Sequence, residues 1–75
     1  MNEEIHIGQL IQAKLREDDR SIAWLARKLH CDRTNVYKIF RKQHVEIVQL
    51  LQISLILHYD FFAHYSAYIH KHSEM

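Results

Sequence analysis

Proline is absent from the 75-residue sequence, and glycine and cysteine occur once each, as Gly8 and Cys31. With so few turn-forming residues, β-hairpins and flexible linkers are disfavoured and the chain is predicted to be all helical. A single cysteine cannot form an internal disulfide, which favours a reducing compartment. Cys31 stands at an apolar position and is predicted to be packed rather than reactive. One glycine also excludes a Gly-rich phosphate loop, and so short a chain has little room for a catalytic cleft. We therefore expect no enzymatic activity and no small-molecule substrate.

Long apolar runs are missing from the N-terminal segment, MNEEIHIGQL, which contains two acidic residues. We expect neither a signal peptide nor a membrane span, no membrane partner, and a cytoplasmic location. The hydrophobic share of 48% is enough for one compact core. Residues 1–75 are therefore predicted to form a single domain.

Seven histidines raise the question of a metal site. A zinc site needs three or four ligands that converge tetrahedrally. His58 and His64 lie on either side of a predicted turn, His70 and His72 lie near the C-terminus, and no cysteine pair accompanies them. The sequence therefore predicts exposed or hydrogen-bonded histidines, without a metal or another cofactor.

Apolar periodicity predicts five helices. Their expected ranges are residues 5–17, 22–29, 33–42, 45–57 and 61–70. In the first helix, Ile7, Ile11 and Leu15 recur every four residues on one face. Apolar residues surround most of the helix over 45–57, a pattern typical of the central buried helix of a small bundle.

Residues that cap helices stand at several of the predicted helix starts. Ser21 or Asp19 can cap the second helix, Asp32 the third and Asp60 the last, because each side chain can accept a hydrogen bond from a free N–H of the first turn. Trp24 lies within the second helix, and we expect it to be partly buried in a packing role.

The second and third predicted helices form a helix-turn-helix over residues 22–41, with its corner near His30 and Cys31. Their inward positions are apolar at helical spacing: Leu25, Ala26 and Leu29, then Val36 and Ile39. The small Ala26 allows the two helices to cross closely at a steep angle. The outward positions of the third helix are Arg33, Thr34, Tyr37, Lys38 and Arg41. A cationic, hydrogen-bonding helix face of this kind is typical of proteins that read a DNA major groove.

Charge is concentrated on the same segment. Residues 27–42 contain six basic residues and one acid, a net charge of +5, whereas the rest of the chain contains four basic and eight acidic residues, a net charge of −4. The total of +1 therefore conceals a polarised molecule. A polyanion is attracted to one part of this chain and repelled by the rest, which favours nucleic acid as the partner.

At these residues the sequence resembles the helix-turn-helix domains of the lambda-repressor and Cro type. The apolar and small residues of the family motif are matched in order by Leu25, Ala26, Leu29, Cys31, Val36 and Ile39. The segments IGQLIQAKLRE and LLQISLILHYDFF are similar to the family's first helix and to its fourth helix with the following turn. HCDRTNVYKIF and LHYDFF resemble a compact bacterial branch of the family. The resemblance spans roughly residues 5–66 and implies an all-α, compact bundle of about five helices that contains a helix-turn-helix.

Three positions depart from the family pattern. The corner glycine is replaced by His30, which must adopt the positive φ favoured there or change the turn. The glutamine that often touches phosphate at the start of the second helix is replaced by Ile22, so this contact passes to Ser21 or to a backbone N–H. Phe40 stands where the family often has an acid, which leaves Arg16 without that partner.

The resemblance implies a sequence-specific DNA-binding transcriptional regulator whose third helix reads the major groove of double-stranded DNA. From the outward spacing, the residues expected to face base edges are Arg33, Thr34, Tyr37 and Lys38. The residues expected to contact phosphates are Ser21, Asn35, Arg41 and Lys42.

The aromatic C-terminal segment FFAHYSAYIH suggests a second kind of surface. If Phe62, Tyr65 and Ile69 close the core, then Phe61 and Tyr68 face outward and form the interface of a homodimer on DNA. Alternatively, both sets of aromatic residues cover the fourth helix within one chain. The alternative function is a protein–protein adaptor or an antitoxin-like partner that uses this helix. Both roles can coexist in one protein.

Overall fold

A computed structural model of the chain describes residues 5–73, which form five α-helices and no strands within that range. The helices are α1 (Ile7–Glu17), α2 (Ile22–Leu29), α3 (Arg33–Arg41), α4 (Ile47–Leu57) and α5 (Phe62–Lys71). The predicted all-α bundle of about five helices is confirmed. Residues 1–4, on which the signal-peptide prediction partly depends, and residues 74–75 lie outside the described residues. Within residues 5–73 no helix combines the length and the apolar character needed to cross a membrane.

Side-chain caps mark the starts of both helices of the helix-turn-helix. The Ser21 hydroxyl accepts a hydrogen bond of 3.0 Å from the Trp24 N–H at the start of α2. At the start of α3, the Asp32 carboxylate accepts one of 3.0 Å from the Asn35 N–H. Both predicted caps are confirmed. Each satisfies a backbone donor that the helix itself leaves free.

The other helix starts differ from the sequence-based expectation. The His6 ring accepts from the N–H of Gln9 at the start of α1, and Glu46 caps α4, so these helices begin at Ile7 and Ile47 rather than at residues 5 and 45. The prediction that Asp60 caps the last helix is wrong. That helix follows Phe61, and no side chain caps it.

One apolar cluster forms the core of the described residues. α1 contributes Ile7, Ile11 and Leu15, which are at most 3% exposed, so the predicted stripe is confirmed. The other buried members are Leu25, Ala26, Val36, Ile39, Phe40, Val45, Leu50, Ile53, Leu57 and Phe61. Burial of each larger side chain stabilises the fold by about 1.5–3 kcal/mol relative to exposure. Trp24 packs against the cluster and is partly buried, as predicted.

The prediction that the fourth helix is buried all round is wrong. α4 turns Leu50, Ile53 and Leu57 into the core and exposes an apolar surface on its other side. This surface, the α4 face, consists of Ile47, Val48, Leu51 and Leu55, which are 71%, 58%, 50% and 67% exposed. α4 is therefore a peripheral helix with an open apolar side.

The aromatic residues of the C-terminal helix are also placed differently from the prediction. Phe61 is fully buried, with its ring edge-on to Tyr59 at 4.8 Å, so its predicted outward position at a dimer interface is wrong. Ile69, expected in the core, is 66% exposed. Tyr68 is 37% exposed, and its ring lies 4.2 Å from that of His72. Phe61 directly precedes α5 and belongs to the core cluster, whereas Ile69 lies near the C-terminal end of that helix.

Phe62 and Tyr65 are partly buried against the core, as predicted. Near them, the Tyr59 hydroxyl and the His64 ring share a hydrogen bond of 2.9 Å. This contact fastens the start of α5 to the turn that precedes it.

The chain's one glycine lies where α1 meets the end of α3. The Ile7 N–H donates to the Gln43 carbonyl at 3.0 Å, and the Gly8 N–H donates to the Lys42 carbonyl at 2.9 Å. A methyl group on Gly8 would overlap the carbonyl oxygens of Ile39, Phe40 and Lys42. The first turn of α1 thus lies directly on the backbone at the C-terminal end of α3.

We expect Gly8→Ala to destabilise the domain by about 1–3 kcal/mol, because the added methyl group overpacks this junction. The sign of the change in the free energy of unfolding shows whether Gly8 is in close contact with another element. At an open position within a helix the same replacement stabilises by roughly 0.5–1 kcal/mol. Chemical denaturation monitored by circular dichroism measures the free energy of unfolding.

The exposed Ala13 of α1 provides the matched control. Ala13→Gly should cost about 0.5–1 kcal/mol through helix propensity alone. If Gly8→Ala raised the stability of the domain, the close approach of α1 to α3 would be disproved.

Candidate nucleic-acid interface

The turn between α2 and α3 fixes how α3 is presented. His30 adopts the left-handed conformation with φ 58°, which is the first of the two alternatives that the sequence left open at this corner. The His30 N–H donates to the Arg27 carbonyl, and the Cys31 N–H donates to the Ala26 carbonyl at 2.9 Å. These bonds satisfy carbonyls at the end of α2, as in the usual left-handed helix termination. Ala26 itself is only 5% exposed, in keeping with a close crossing of the two helices.

Cys31 follows this corner and packs partly buried against the core. Its burial raises the pKa of the thiol, and the adjacent Asp32 carboxylate raises it further. Because the thiolate is the nucleophilic form, the raised pKa leaves a neutral and weakly reactive group at pH 7. Cys31 is therefore a packing residue of the turn, as predicted.

α3 exposes the four residues predicted to face base edges. Arg33, Thr34, Tyr37 and Lys38 all lie on the solvent side of the helix, while Val36, Ile39 and Phe40 are buried. With 3.6 residues per turn, side chains three or four positions apart share a face. Arg41 continues the same exposed stripe, three residues after Lys38. Arg41, predicted to meet phosphate, is therefore part of the same face as the residues predicted to read bases.

The remaining phosphate-contact candidates line two separate grooves and do not form one cluster. Asn35 and Lys42 line a groove between α3 and α4, together with Lys38 and Gln49. Ser21 lies at the start of α2, and it and Arg16 line a separate groove between α1 and α2. All four predicted phosphate-contact residues are exposed. Asn35 and Lys42 thus lie in one groove with Lys38, and Ser21 lies in another.

α1 adds polar residues that the sequence-based assignment missed. Gln9 and Gln12 line a groove against Tyr37 and Arg41 of α3. Gln12 also lines the adjoining groove that contains Ser21. Their alternation with the buried positions of α1 was visible in the sequence, but only the packing of α1 against α3 places them beside the candidate interface.

A second missed feature is a stack of cations on an aromatic ring. The Arg20 guanidinium lies 4.6 Å and the Lys28 ammonium 5.7 Å from the Trp24 ring centroid. The four-residue spacing of these three residues in the sequence is the signal that could have revealed the stack. Contact with the ring orients both cations while they keep their charge.

The basic side chains of α2 and α3 keep their charge available. Both ion pairs within residues 5–73 are made by Lys14, with Glu17 at 3.8 Å and Asp18 at 3.5 Å. Within that range, no acid therefore pairs with a basic residue of positions 27–42. The one acid of that segment, Asp32, is engaged in capping α3. An external polyanion is consequently the partner that this face suits electrostatically.

Among residues 5–73, no three His, Cys, Asp or Glu side chains are grouped so that they could hold a metal ion. Comparison of the chain with protein-family models, with curated proteins and with solved structures gave no match. The resemblance to lambda-repressor and Cro-type domains therefore stays a prediction that depends on the motif residues.

We expect His30→Gly to stabilise the domain by roughly 0.5–1 kcal/mol. A left-handed conformation costs a non-glycine residue about 1–2 kcal/mol, and the greater freedom of glycine in the unfolded chain offsets part of the gain. The free energy of unfolding from denaturant titration measures the change.

His58, which ends α4 with φ 52°, offers a matched test away from the turn between α2 and α3. His58→Gly should stabilise to a similar extent. A loss of stability confined to His30→Gly would show that the imidazole itself supports the helix-turn-helix corner, contrary to our expectation.

Proposed function

We propose that this protein is a sequence-specific DNA-binding transcriptional regulator that reads the major groove with α3. The observation that carries the proposal is the exposed α3 stripe, on which basic and hydrogen-bonding side chains lie without an acidic partner among the described residues. A role in transcription agrees with the cytoplasmic location expected from the sequence.

Direct readout requires side chains that reach base edges from an exposed helix. Arg33 and Lys38 are suited to the guanine O6 and N7 acceptors, and Arg can engage both at once. Thr34 and Tyr37 add a methyl group, a ring and two hydroxyls for neighbouring bases. These four residues are our proposed determinants of sequence preference.

Phosphate contacts set the register of α3 in the groove. On one side, Asn35 and Lys42 can meet one strand. On the other side, the Ser21 hydroxyl still has a proton to donate, because it acts only as an acceptor in the cap of α2. Arg20 lies next in sequence to Ser21 and is oriented by Trp24, so it extends this second contact.

The alternative function, a protein–protein adaptor or antitoxin-like partner, is supported by a different observation. Ile69 and Tyr68 of α5 are exposed, and so is the α4 face. The dependence of affinity on salt concentration distinguishes the two functions. Binding to DNA weakens steeply with added salt, whereas the affinity of an apolar interface hardly changes. The homodimer predicted through the C-terminal helix loses one of its two contact residues, because Phe61 is buried and only Tyr68 is exposed.

We expect Arg33→Ala and Lys42→Ala to weaken DNA binding in different ways. Arg33→Ala should cost about 1–3 kcal/mol on the preferred site and relax discrimination at one base position. Lys42→Ala should weaken binding to all sequences alike and reduce the slope of log affinity against log salt by about 1. Selection of bound fragments from random duplex DNA supplies the site, and fluorescence anisotropy measures both affinities.

Lys71→Ala removes the same charge from α5 and serves as the control, for which we expect little change. Equal weakening of specific and random DNA by Arg33→Ala would refute the assignment of Arg33 to a base. Recovery of no enriched motif by the wild-type protein at moderate salt would favour the adaptor function.

A further inference from the structure

The α4 face is the largest exposed aliphatic surface of a single helix among the described residues. Ile47, Leu51 and Leu55 recur at intervals of four, and Val48 lies beside them, so the four side chains form one stripe along the helix. All are at least half exposed. Soluble monomers seldom expose such contiguous apolar patches without using them for interactions.

We propose that a second copy of this chain packs on the α4 face, with the two α4 helices antiparallel about a two-fold axis near Leu51. The proposal adds to the proposed function a defined dimer surface, on α4 rather than on α5. Only the role of the dimer depends on the proposed DNA binding, because two α3 helices related by a two-fold axis suit a DNA site with the same symmetry. The dimer itself is a property of the protein without DNA.

The composition of α4 suits a self-complementary contact. Its sequence, IVQLLQISLIL, contains no charged residue, so two copies can meet without placing like charges in the contact. An isologous interface requires such compatibility, because each patch contacts its own equivalent. A partner that is recognised through charge would find no complementary group on this helix.

The ends of α4 specify the direction of packing. Glu46 caps the N-terminal end, and His58 ends the helix at the other. Antiparallel pairing brings Glu46 close to the partner's His58, whereas parallel pairing would bring Glu46 close to the partner's Glu46. Antiparallel helix dipoles favour the same choice.

Beside the C-terminal half of α4 lies a groove that can receive the partner's side chains. It is lined by Leu51, Leu55, Tyr59 and Phe62, with Asp60 at its edge. In the antiparallel arrangement the partner's Ile47 meets Leu55 and enters this groove. The two-fold axis repeats the insertion at the other end of the contact.

The area fits a dimer of modest strength. With on the order of 100 Å² of apolar surface for each aliphatic side chain, the exposed fractions of the α4 face leave roughly 250 Å² per copy. Two copies bury roughly 500 Å², and because interfaces are about 60% apolar, the total contact is about 800–900 Å² before the groove is counted. This total lies below the roughly 1,200–2,000 Å² of stable specific interfaces and matches a weak dimer that forms reversibly.

Cysteine cross-linking tests the axis directly. In a Cys31→Ser background, Leu51→Cys should form a covalent dimer with oxidised glutathione, because residue 51 meets its own equivalent at the axis. Ile47→Cys and Leu55→Cys should each cross-link poorly alone and readily when mixed. Ile69→Cys, as exposed as Leu55 but on α5, is the matched control. Equal cross-linking of Ile69→Cys and Leu51→Cys, or none by Leu51→Cys, would overturn the proposal.

Sedimentation velocity over a concentration series gives an independent readout with the native cysteine in place. The double variant Leu51→Gln, Leu55→Gln should weaken the dimer by about tenfold or more, whereas Ile69→Gln should leave its dissociation constant unchanged. Circular dichroism checks that each variant folds, which the exposure of the changed residues favours. A wild-type protein that stays monomeric at high concentration would refute the α4 dimer.

These experiments distinguish failure of the α4 dimer from failure of the proposed DNA binding. A monomer that still binds a selected DNA sequence would refute the dimer and leave α3 readout intact. A dimer abolished by the double variant, in a protein with no preferred DNA sequence, would support the α4 contact and refute the DNA-binding proposal.

Discussion

The close approach of α1 to the end of α3 is the constraint on which the candidate interface depends. The first turn of any α-helix leaves backbone N–H groups unpaired, and the last turn leaves carbonyl groups unpaired. Here the N–H groups of Ile7 and Gly8 donate to the carbonyls of Gln43 and Lys42, the two residues that follow α3, so the segment just after α3 satisfies the start of α1. Only a residue without a side chain leaves room for this contact. The end of α3 is consequently held by α1, while Asp32 and the His30 turn hold its beginning.

A helix held at both ends can present a fixed set of side chains, and charge then determines what that set attracts. Several acids are engaged locally: Asp32 caps α3, Glu46 caps α4, and Glu17 and Asp18 pair with Lys14 near the C-terminal end of α1. The positive potential of the basic side chains of α2 and α3 is therefore available to attract an external partner. Arg20 and Lys28 are restrained by Trp24 through ring contacts, which orient a cation without neutralising it.

Local signals in the sequence located α1, α2 and α3, although α1 begins at Ile7 rather than at residue 5. Periodicity located the buried stripes, and Ser21 and Asp32 marked the starts of α2 and α3, but the sequence left open whether His30 takes a left-handed conformation or the turn changes. The placement of Phe61 and Ile69 was wrong because helical spacing shows which residues share a face but not which face meets the core. Phe61 stands just before α5 and packs into the core cluster beside Tyr59, a result of tertiary packing that no local pattern contains.

α4 shows the same limit in a more informative way. A helix that is apolar all round is typically buried on every side, and the sequence alone therefore predicted a buried helix here. The other way to satisfy such a helix is to bury one side within the chain and the other against a second surface. The five helices of residues 5–73 enclose too small a core to surround one of them completely, so one apolar side of α4 stays exposed. In the dimer that we propose, a second copy covers this side and leaves the basic stripe of α3 open to the proposed nucleic-acid partner.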